Sequence, residues 1–418
     1  MSAENKVPAI RFKGFSKRWT VKKLQDLTET GFSNGVFNDP QKVGKGYRLI
    51  NVKDMYAGNS IDVESLSLVD IDEKEFKKNK VEYGDIFFTR SSLVKEGIAY
   101  SNVNLSNHQN ITFDGHLIRM QPCKRSTNPV FLSSLFKTPS ARNQFILGGK
   151  TTTMTTIGQS DIASVEVPIP SVEEQTKIGN YFQQLDTLIA QHQKKHDKLL
   201  NLKKALLELM FPKQGATEPK IRFKGFSGEW EEKGLEEISV KIQDGTHFSP
   251  KSFDTEDFLY ITSKNVKNGY IELSKAQFIS KEEHDNIYKR CDVKQGDVLL
   301  TKDGTIGQAC VNELSIPFSL LSSVAFIRLN PNFSNYFLYH LLVSQIGQKE
   351  IESQIAGQAL KRITLTKINN FSFDFPSHQE QQKIASCLSA LDALITQHQA
   401  QLKKLSNIKQ ACLEKMFV

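Results

Sequence analysis

The stretch ILGGKTTT, Ile146–Thr153, contains the Gly-Lys-Thr step that occurs in phosphate-binding loops. In such a loop backbone N–H groups cradle the phosphates, and a further glycine stands six residues before the lysine. Gln144 holds that place in this chain, so the match fails and nucleotide binding is not indicated.

Two histidines, His192 and His196, stand four residues apart, a spacing that brings both to one face of a helix and can bind a metal ion. A third ligand is not evident in the sequence. We favour the interpretation that both are polar residues on a helix seam, where they specify register. A metal-binding pair remains the alternative.

Motifs for other catalytic chemistry do not occur in the sequence. The G-x-G-x-x-G pattern after a strand, which indicates a dinucleotide or methyl-donor cofactor, is missing. The N-P-P-aromatic motif of amino-methyltransferases and a convincing pair of nuclease carboxylates are missing as well. The sequence therefore predicts no catalytic residue, no metal ligand and no cofactor site.

The chain is a tandem repeat. The heptapeptide IRFKGFS occurs at Ile10–Ser16 and again at Ile221–Ser227, an offset of 211 residues, and each copy is followed by a tryptophan, Trp19 or Trp230. A second block that begins at Pro170 recurs from Pro376 at an offset of 206, with thirteen of 24 positions identical. Because the sequence between the blocks is largely dissimilar, the repeat predicts two halves with a common frame and different middles.

The second block of each half predicts a long helix that starts after a Pro-Ser step. Apolar residues recur every three or four positions, as in a heptad seam. Ser171 and Ser377 are the predicted N-caps, with Glu174 and Glu380 completing capping boxes. About 39 residues at 1.5 Å per residue give a rod of roughly 58 Å.

A helix with a narrow apolar stripe has to bury it against another helix, and the obvious partner is its own copy. The spacing alone does not fix the direction of this coiled coil. If a pseudo-twofold axis relates the halves, the helices run antiparallel and the globular parts lie at opposite ends. The residues predicted to pair are Ile178, Leu185, Ile189, His192, Leu199, Leu206, Ile384, Leu391, Ile395, His398, Leu402 and Leu405.

Each globular segment is predicted to be mixed α and β, so the fold class is α+β. Matched stretches such as GDIFFTR, Gly84–Arg90, and GDVLLTK, Gly296–Lys302, predict a turn followed by a strand that ends in a cation. The predicted ranges are a first globular domain at 1–170, a central helix at 171–213, a linker at 214–220, a second globular domain at 221–375 and a C-terminal helix at 376–418.

Composition places the chain among globular proteins that work in a reducing compartment. The 418 residues exceed one ordinary core, and the net charge of +8 permits nucleic-acid binding without requiring it. The five cysteines show no C-x-x-C spacing. Because no signal peptide or membrane-spanning run is evident, we expect a cytoplasmic protein.

These features together resemble the specificity subunit of type I restriction–modification systems. The resemblance covers nearly the whole chain and rests on the duplicated P-x-I-R-F-K-G-F…W opening, the G-D-[IV]-[LF]-[LF]-T strands and the E-Q-x-x-I helix starts. It implies that each globular segment is a target-recognition domain for one half of a split, double-stranded DNA sequence. The dissimilar middles then imply two different half-sites, with centres about 34–36 Å apart if both are read from one side.

The resemblance also implies the partners of the chain. The long helices would be spacers that dock two modification (methyltransferase) subunits, through which restriction subunits join. S-adenosylmethionine, ATP and Mg²⁺ would be bound by those partner chains and not by this one.

Candidate DNA contacts were chosen as cations, hydroxyls and bidentate groups in strand ends and loops, because these side chains contact phosphates and base edges. In the first half they are Lys53, Arg90, Ser91, Ser92, Lys150, Thr151, Thr152 and Thr153. In the second half they are Thr246, His247, Lys251, Lys264, Lys302, Asp303, Thr305, Lys361 and Arg362.

The repeat sorts these candidates by role. Lys53 and Lys264 recur at the offset of 211, so we expect them to hold the DNA backbone, whereas the unrepeated His247 and Asp303 are better placed to read bases. We also expect Lys302 to contact phosphate, so that Lys302→Ala flattens the salt dependence of binding. Two other classes remain open: a stand-alone enzyme that modifies or cuts DNA, and a coiled-coil scaffold that binds proteins.

Overall fold

The computed structural model describes residues 7–37, 40–151, 153–213, 215–255, 257–355 and 361–418. It divides into two compact units: unit 1 comprises Met1–Gln193 with Ala400–Val418, and unit 2 comprises Lys194–Gln399. Each long helix therefore begins in one unit and ends in the other. The predicted domain ranges, which kept each long helix apart from the globular segments, stay a prediction.

Unit 1 combines short strands with mostly short helices. Its strands are β1 Thr20–Lys23, β2 Thr28–Asn34, β3 Val43–Ile50, β4 Ser67–Val69, β5 Ile86–Thr89, β6 Ser91–Ser92, β7 Ser101–Val103, β8 Ile111–Phe113, β9 Leu117–Pro122, β10 Lys150–Thr151, β11 Thr155–Thr156 and β12 Glu166–Ile169. Its helices are α1 Glu73–Asn79, α2 Pro129–Leu135, α3 Pro139–Gly148, α4 Gln159–Ala163 and the first part of α5 Val172–Leu209.

Unit 2 also combines short strands with mostly short helices. Its strands are β13 Glu231–Gly234, β14 Ser239–Asp244, β15 Phe258–Ile261, β16 Val266–Lys267, β17 Tyr270–Ile271, β18 Gln277–Ile279, β19 Val298–Thr301, β20 Ala309–Val311, β21 Ser319–Leu320, β22 Val324–Leu329 and β23 Ser372–Phe375. Its helices are α6 Leu235–Ile238, α7 Lys281–Tyr288, α8 Asn335–Val343, α9 Gln345–Ile355, α10 Leu365–Asn369 and the first part of α11 His378–Lys415.

The dissimilar middles of the two halves share one topology, which confirms the α+β prediction. The central sheet has the order β2-β9-β5-β7 in unit 1 and β14-β22-β19-β20 in unit 2. A second sheet, β4-β3-β8 or β18-β15-β21, contains one parallel pair in each case. The sequences could diverge because a sheet is specified by which positions are apolar rather than by particular side chains.

The predicted Gly-Asp turns precede the central strands β5 and β19. Gly84 and Gly296 have φ of 93° and 91°, a region open to glycine. The next carboxylate, Asp85 or Asp297, accepts the backbone N–H three residues before it, at 3.0 and 2.7 Å. Burial raises the pKa of Asp85 to about 6. The turn fixes where each central strand starts.

The two long helices pair in an antiparallel manner within each unit. In unit 1 Asp186 of α5 accepts from Lys409 of α11 at 2.6 Å, and Tyr181 of α5 lies against Cys412 of α11. Residue numbers therefore fall along α5 as they rise along α11, which is the antiparallel direction. In unit 2 Lys203 of α5 pairs with Asp392 of α11. The two ion pairs are copies of each other at the offset of 206, with the roles of the helices exchanged.

The residues predicted to form the helix seam are all buried or half-buried in the two long helices. Ile178, Leu185, Ile384 and Ile395 are buried. The remaining eight are half-buried: Ile189, His192, Leu199, Leu206, Leu391, His398, Leu402 and Leu405. Side chains one residue to either side of these are mostly exposed, so the buried stripe on each helix is narrow.

The tryptophan after each IRFKGFS motif packs on the end of the helix from the other repeat. Trp19 is 2% exposed and meets Phe417 edge-on, at 6.2 Å between ring centroids. Trp230 is 3% exposed and meets Phe211, which follows α5, at the same distance. Each unit thus completes its core with a helix end supplied by the other half of the sequence.

The IRFKGFS motif itself is a turn that clamps the start of its long helix. Arg11 donates from Nε and Nη2 to the two oxygens of Glu174, at 2.6 and 2.7 Å. Arg222 makes the same fork to Glu380, at 2.8 Å for both bonds. We predicted these glutamates as capping-box residues, and the structure corrects this in part. The serine hydroxyls do accept from the helix N–H groups at 3.4 Å, but the carboxylates are taken by the arginines.

None of the helices formed by the described residues combines the length and the apolar character that crossing a bilayer requires.

The arginine forks predict a stability difference. Arg11→Ala leaves the Glu174 carboxylate, whose side chain is 2% exposed, buried without its partner. We expect the free energy of unfolding of unit 1 to fall by about 3 kcal/mol, which lowers its Tm by roughly 6–12 °C. Thermal unfolding of Arg11→Ala and of the exposed-neighbour control Lys13→Ala checks this. Equal, small shifts for both variants would show that the fork contributes little.

Candidate nucleic-acid interface

In unit 1 the predicted contacts come together where the central strand β5 ends. The chain leaves β5 through Arg90, which is exposed, into β6, which consists of the half-buried Ser91 and Ser92. Strand β6 pairs with β11, and β11 pairs with β10, so the order of this small sheet is β10-β11-β6. Sequence positions some sixty residues apart thus form one polar surface.

The stretch predicted as a Lys-Thr-Thr-Thr loop is in part a strand. Lys150 and Thr151 form β10 and are exposed, and the Thr151 hydroxyl lies 3.0 Å from that of Thr155. Thr153 is exposed in the turn that follows, and Thr152 lies outside the described residues. The exposed cation and hydroxyls are side chains of the kind that contact phosphate oxygens.

Unit 2 builds the equivalent surface with different side chains. The residues after β19, Lys302 and Asp303, run beside Arg362 and Ile363, with a bridge between Asp303 and Arg362. The Arg362 guanidinium lies 3.9 Å from the Asp303 carboxylate. Lys361 is exposed next to this pair.

The same backbone hydrogen bonds hold the strand ends in both units. Arg90 N–H donates to His116 at 3.1 Å, and Ile157 N–H donates to Arg90 at 3.0 Å. In unit 2 Lys302 N–H donates to Ser323 and Ile363 N–H donates to Lys302, both at 2.9 Å. The frame is therefore repeated, while the side chains that it presents are not.

The remaining predicted cations are exposed. Lys53 lies in the 3₁₀ helix Val52–Tyr56, and its counterpart Lys264 lies in a turn after β15. The Thr305 hydroxyl donates to the carbonyl of Ser263 at 3.0 Å. This bond places the turn that contains Lys264 next to the loop that contains Asp303. Lys251 is exposed with its ammonium 5.1 Å from the centre of the Phe253 ring.

Lys302 is the exception and requires a correction. Its side chain is 2% exposed, and its ammonium lies 3.1 Å from the carboxylate of Asp244, which is also buried. A buried ammonium with a carboxylate partner does not face a phosphate, so the expected phosphate contact of Lys302 is wrong. The pair instead joins the last residue of β14 to the residue after β19, beneath the exposed polar surface.

Three further residues lie close to Asp244, and only two of them were predicted as DNA contacts. Thr246 was predicted as a contact, but it is 4% exposed and its backbone bridges Leu321. His247 is exposed and places Nε2 3.3 Å from Asp244. Arg290, which was not predicted, lies 3.5 Å from the same carboxylate and donates to Gly245. It follows α7 in a stretch without a matching motif, so no sequence signal pointed to it.

In the part of the chain that the structure describes, no three or more His, Cys, Asp or Glu side chains cluster closely enough to hold an ion. His192 and His196 are both half-buried on α5, and their role in setting register stays a prediction.

Comparison with known proteins agrees with this architecture. The model of the type I restriction modification DNA specificity domain matches the chain twice, over residues 16–201 and 227–407. The two matches follow the two repeats and cover most of the sequence. A protein with two such domains in tandem, each presenting a polar surface on the same frame, is a DNA-recognition protein. This chain belongs to the type I restriction–modification DNA specificity family, as a specificity subunit with no catalytic role of its own.

Similar proteins are found in archaea and bacteria. The putative type I restriction enzyme MjaX specificity subunit of Methanocaldococcus jannaschii is 25% identical over 404 residues, which cover 94% of this chain and 91% of the relative. The EcoKI specificity subunit of Escherichia coli K12 is 30% identical over 189 residues, 44% of this chain and 40% of the relative.

A crystal structure shows the same fold. The S subunit of a type I restriction–modification system from M. genitalium matches with a TM-score of 0.63 at 16% identity, over 99% of both chains.

The buried ion pair predicts a result that differs from a phosphate contact. Lys302→Met should destabilise unit 2 by about 3 kcal/mol, because the buried Asp244 carboxylate loses the one of its three cationic neighbours that is itself buried. The double variant Asp244→Asn/Lys302→Met should recover most of that loss, since a neutral pair carries no such penalty. Thermal unfolding measures both effects.

Salt titrations of DNA binding provide the matched control. Lys264→Ala removes an exposed cation and should reduce the slope of log K against log salt by about 1. Lys302→Met should leave that slope unchanged. A stable Lys302→Met protein with a reduced slope would instead support direct phosphate contact.

Proposed function

We propose that this chain binds a bipartite, asymmetric double-stranded DNA target and that each repeat reads one half-site. The observation that carries the proposal is the repeated frame with unrepeated side chains. Equivalent strand ends lead into Arg90-Ser91-Ser92 in one unit and, after the buried Lys302, into Asp303-Gly304 in the other, held by the same backbone hydrogen bonds. Two domains with the same backbone frame and different surface side chains are suited to two different half-sites.

Within each surface we propose a division between phosphate and base contacts. Lys53 and Lys264 are exposed at equivalent positions, which favours a contact that both half-sites offer, namely the phosphate backbone. His247 and Asp303 have no counterpart of the same type. His247 is exposed and Asp303 half-buried, so both are candidates for contacts with base edges.

We propose that the partners of the chain are two modification subunits, through which restriction subunits join the complex. The duplication supports the number two, because each unit contains one copy of the arginine clamp and of the antiparallel helix pair. In this assignment S-adenosylmethionine, ATP and Mg²⁺ are bound by the partner chains.

We propose that the complex works in the cytoplasm, where its DNA is. The thiols are compatible with a reducing compartment: Cys123, Cys291, Cys310, Cys387 and Cys412 are all free.

Mapping methylated adenines tests the bipartite target directly. Genomes from cells with the native gene, without it, and with a Lys53→Ala/Lys264→Ala variant are compared. Two short half-motifs separated by a constant gap should be methylated together in the native strain and lost together in the deletion. The variant should lower methylation of all copies evenly, because phosphate contacts carry no sequence information.

Purified components separate the alternatives. The chain alone, supplied with DNA, Mg²⁺, S-adenosylmethionine and ATP, should neither methylate nor cut, and adding modification subunits should restore methylation. Activity of the chain alone would favour a stand-alone enzyme. Absence of a DNA footprint even with modification subunits would favour a scaffold that binds proteins.

A further inference from the structure

Each unit carries an exposed phenylalanine at the same corner of its recognition surface. Phe37 is 78% exposed and Phe248 is 54% exposed. A single exposed apolar side chain is ordinary on a soluble protein. Two on equivalent loops of units whose sequences have otherwise diverged require a common reason.

The loop that presents the phenylalanine is held by the same clasp in both units. In unit 1 Val36 N–H donates to Phe113 at 2.8 Å, and Gly115 N–H donates back to Val36 at 2.7 Å. In unit 2 Thr246 N–H donates to Leu320 and Ser322 N–H donates back to Thr246, both at 2.8 Å.

A glycine precedes each clasp for the same steric reason. A Cβ atom at Gly35 would overlap the carbonyl oxygen of Phe113, and one at Gly245 would overlap that of Leu320. The backbones approach too closely for any other residue. Phe37 follows its clasp directly, and Phe248 follows one residue later, so both rings project from a rigid base.

The clasp is connected to the strand end that carries the predicted DNA contacts. The strand that holds Val36 continues into His116, whose carbonyl accepts from Arg90 at 3.1 Å. The strand that holds Thr246 continues into Ser323, whose carbonyl accepts from Lys302 at 2.9 Å. Each phenylalanine loop is therefore joined through backbone hydrogen bonds to the strand end that leads into the predicted DNA contacts.

We propose that Phe37 and Phe248 contact the bases of their half-sites through their apolar rings. This inference rests on the proposed function. Within a cationic surface, an aromatic side chain can enter a base step as a wedge or cover the methyl group of a thymine. Both modes bury a ring that is otherwise in water, and both add specificity that hydrogen bonds do not supply.

Binding of target duplexes tests the proposal, with Phe37→Ala and Phe248→Ala assembled with modification subunits. The probes are the mapped target duplex and versions with one or the other half-site scrambled. Each variant should lose about 5- to 100-fold in affinity for the intact target, the range of one base–aromatic contact. Each should lose part of its discrimination against one scrambled half-site only, and the two variants should differ in which one.

Tyr83→Ala is the matched control. Tyr83 is also an exposed aromatic residue, at 43%, but it lies before the Gly-Asp turn, at the opposite end of β5 from Arg90. This variant should bind all the probes as the native chain does. Thermal unfolding should show unchanged stability for all three variants, since each removed ring is largely exposed.

Modified bases distinguish the two modes of contact. With 2-aminopurine at each step of a half-site, insertion predicts a fluorescence rise with the native chain that is lost with the matching alanine variant. A methyl contact predicts instead that replacing one thymine by uracil weakens native binding and leaves the variant unaffected. Either result supports the proposal.

Two outcomes would overturn it. Full discrimination of both half-sites by both variants would exclude base contact, and so would loss of assembly with modification subunits at unchanged DNA discrimination. A native complex without any target preference is a different result, because it would contradict the proposed function itself.

Discussion

The structure depends on a reciprocal exchange of helix ends. Trp19 is buried against Phe417, and Trp230 against Phe211, so each core is closed by residues from the other repeat. Without its phenylalanine, each tryptophan would expose a large apolar surface. Neither repeat therefore has a complete core on its own. The ion pairs Asp186–Lys409 and Lys203–Asp392 then fix the register of the antiparallel helices at polar positions.

Because of this exchange, the residues that stabilise the fold differ from the residues on the recognition surfaces. The arginine clamps, the tryptophans and the helix seam recur in both repeats because they build the frame, and a change in any of them affects folding. The surfaces at the ends of β5 and β19 lie outside these contacts and rest on backbone hydrogen bonds. Because backbone bonds tolerate different side chains, recognition residues can change while the frame stays the same.

The charged residues near the surface show why burial decides a role. Lys302 and Arg90 end equivalent strands, yet Lys302 is enclosed with Asp244 while Arg90 is exposed. The buried ammonium joins two strand ends, whereas a guanidinium in water is available to a phosphate. The Asp244 carboxylate lies within 3.5 Å of His247, Lys302 and Arg290. The position of His247 is therefore set by this charged group as well as by the backbone of its own loop.

The sequence by itself determined the tandem repeat, the long helices, the α+β class, the family and most of the exposed cations, because each of these is a local pattern of periodicity or repetition. Only the tertiary structure decided which repeat closes which core, that Glu174 and Glu380 serve arginine clamps, and that Lys302 is buried. It also placed Phe37 and Phe248 on equivalent clasps and brought Arg290 to Asp244. These properties depend on contacts between residues far apart in the chain, and no spacing within one segment encodes them.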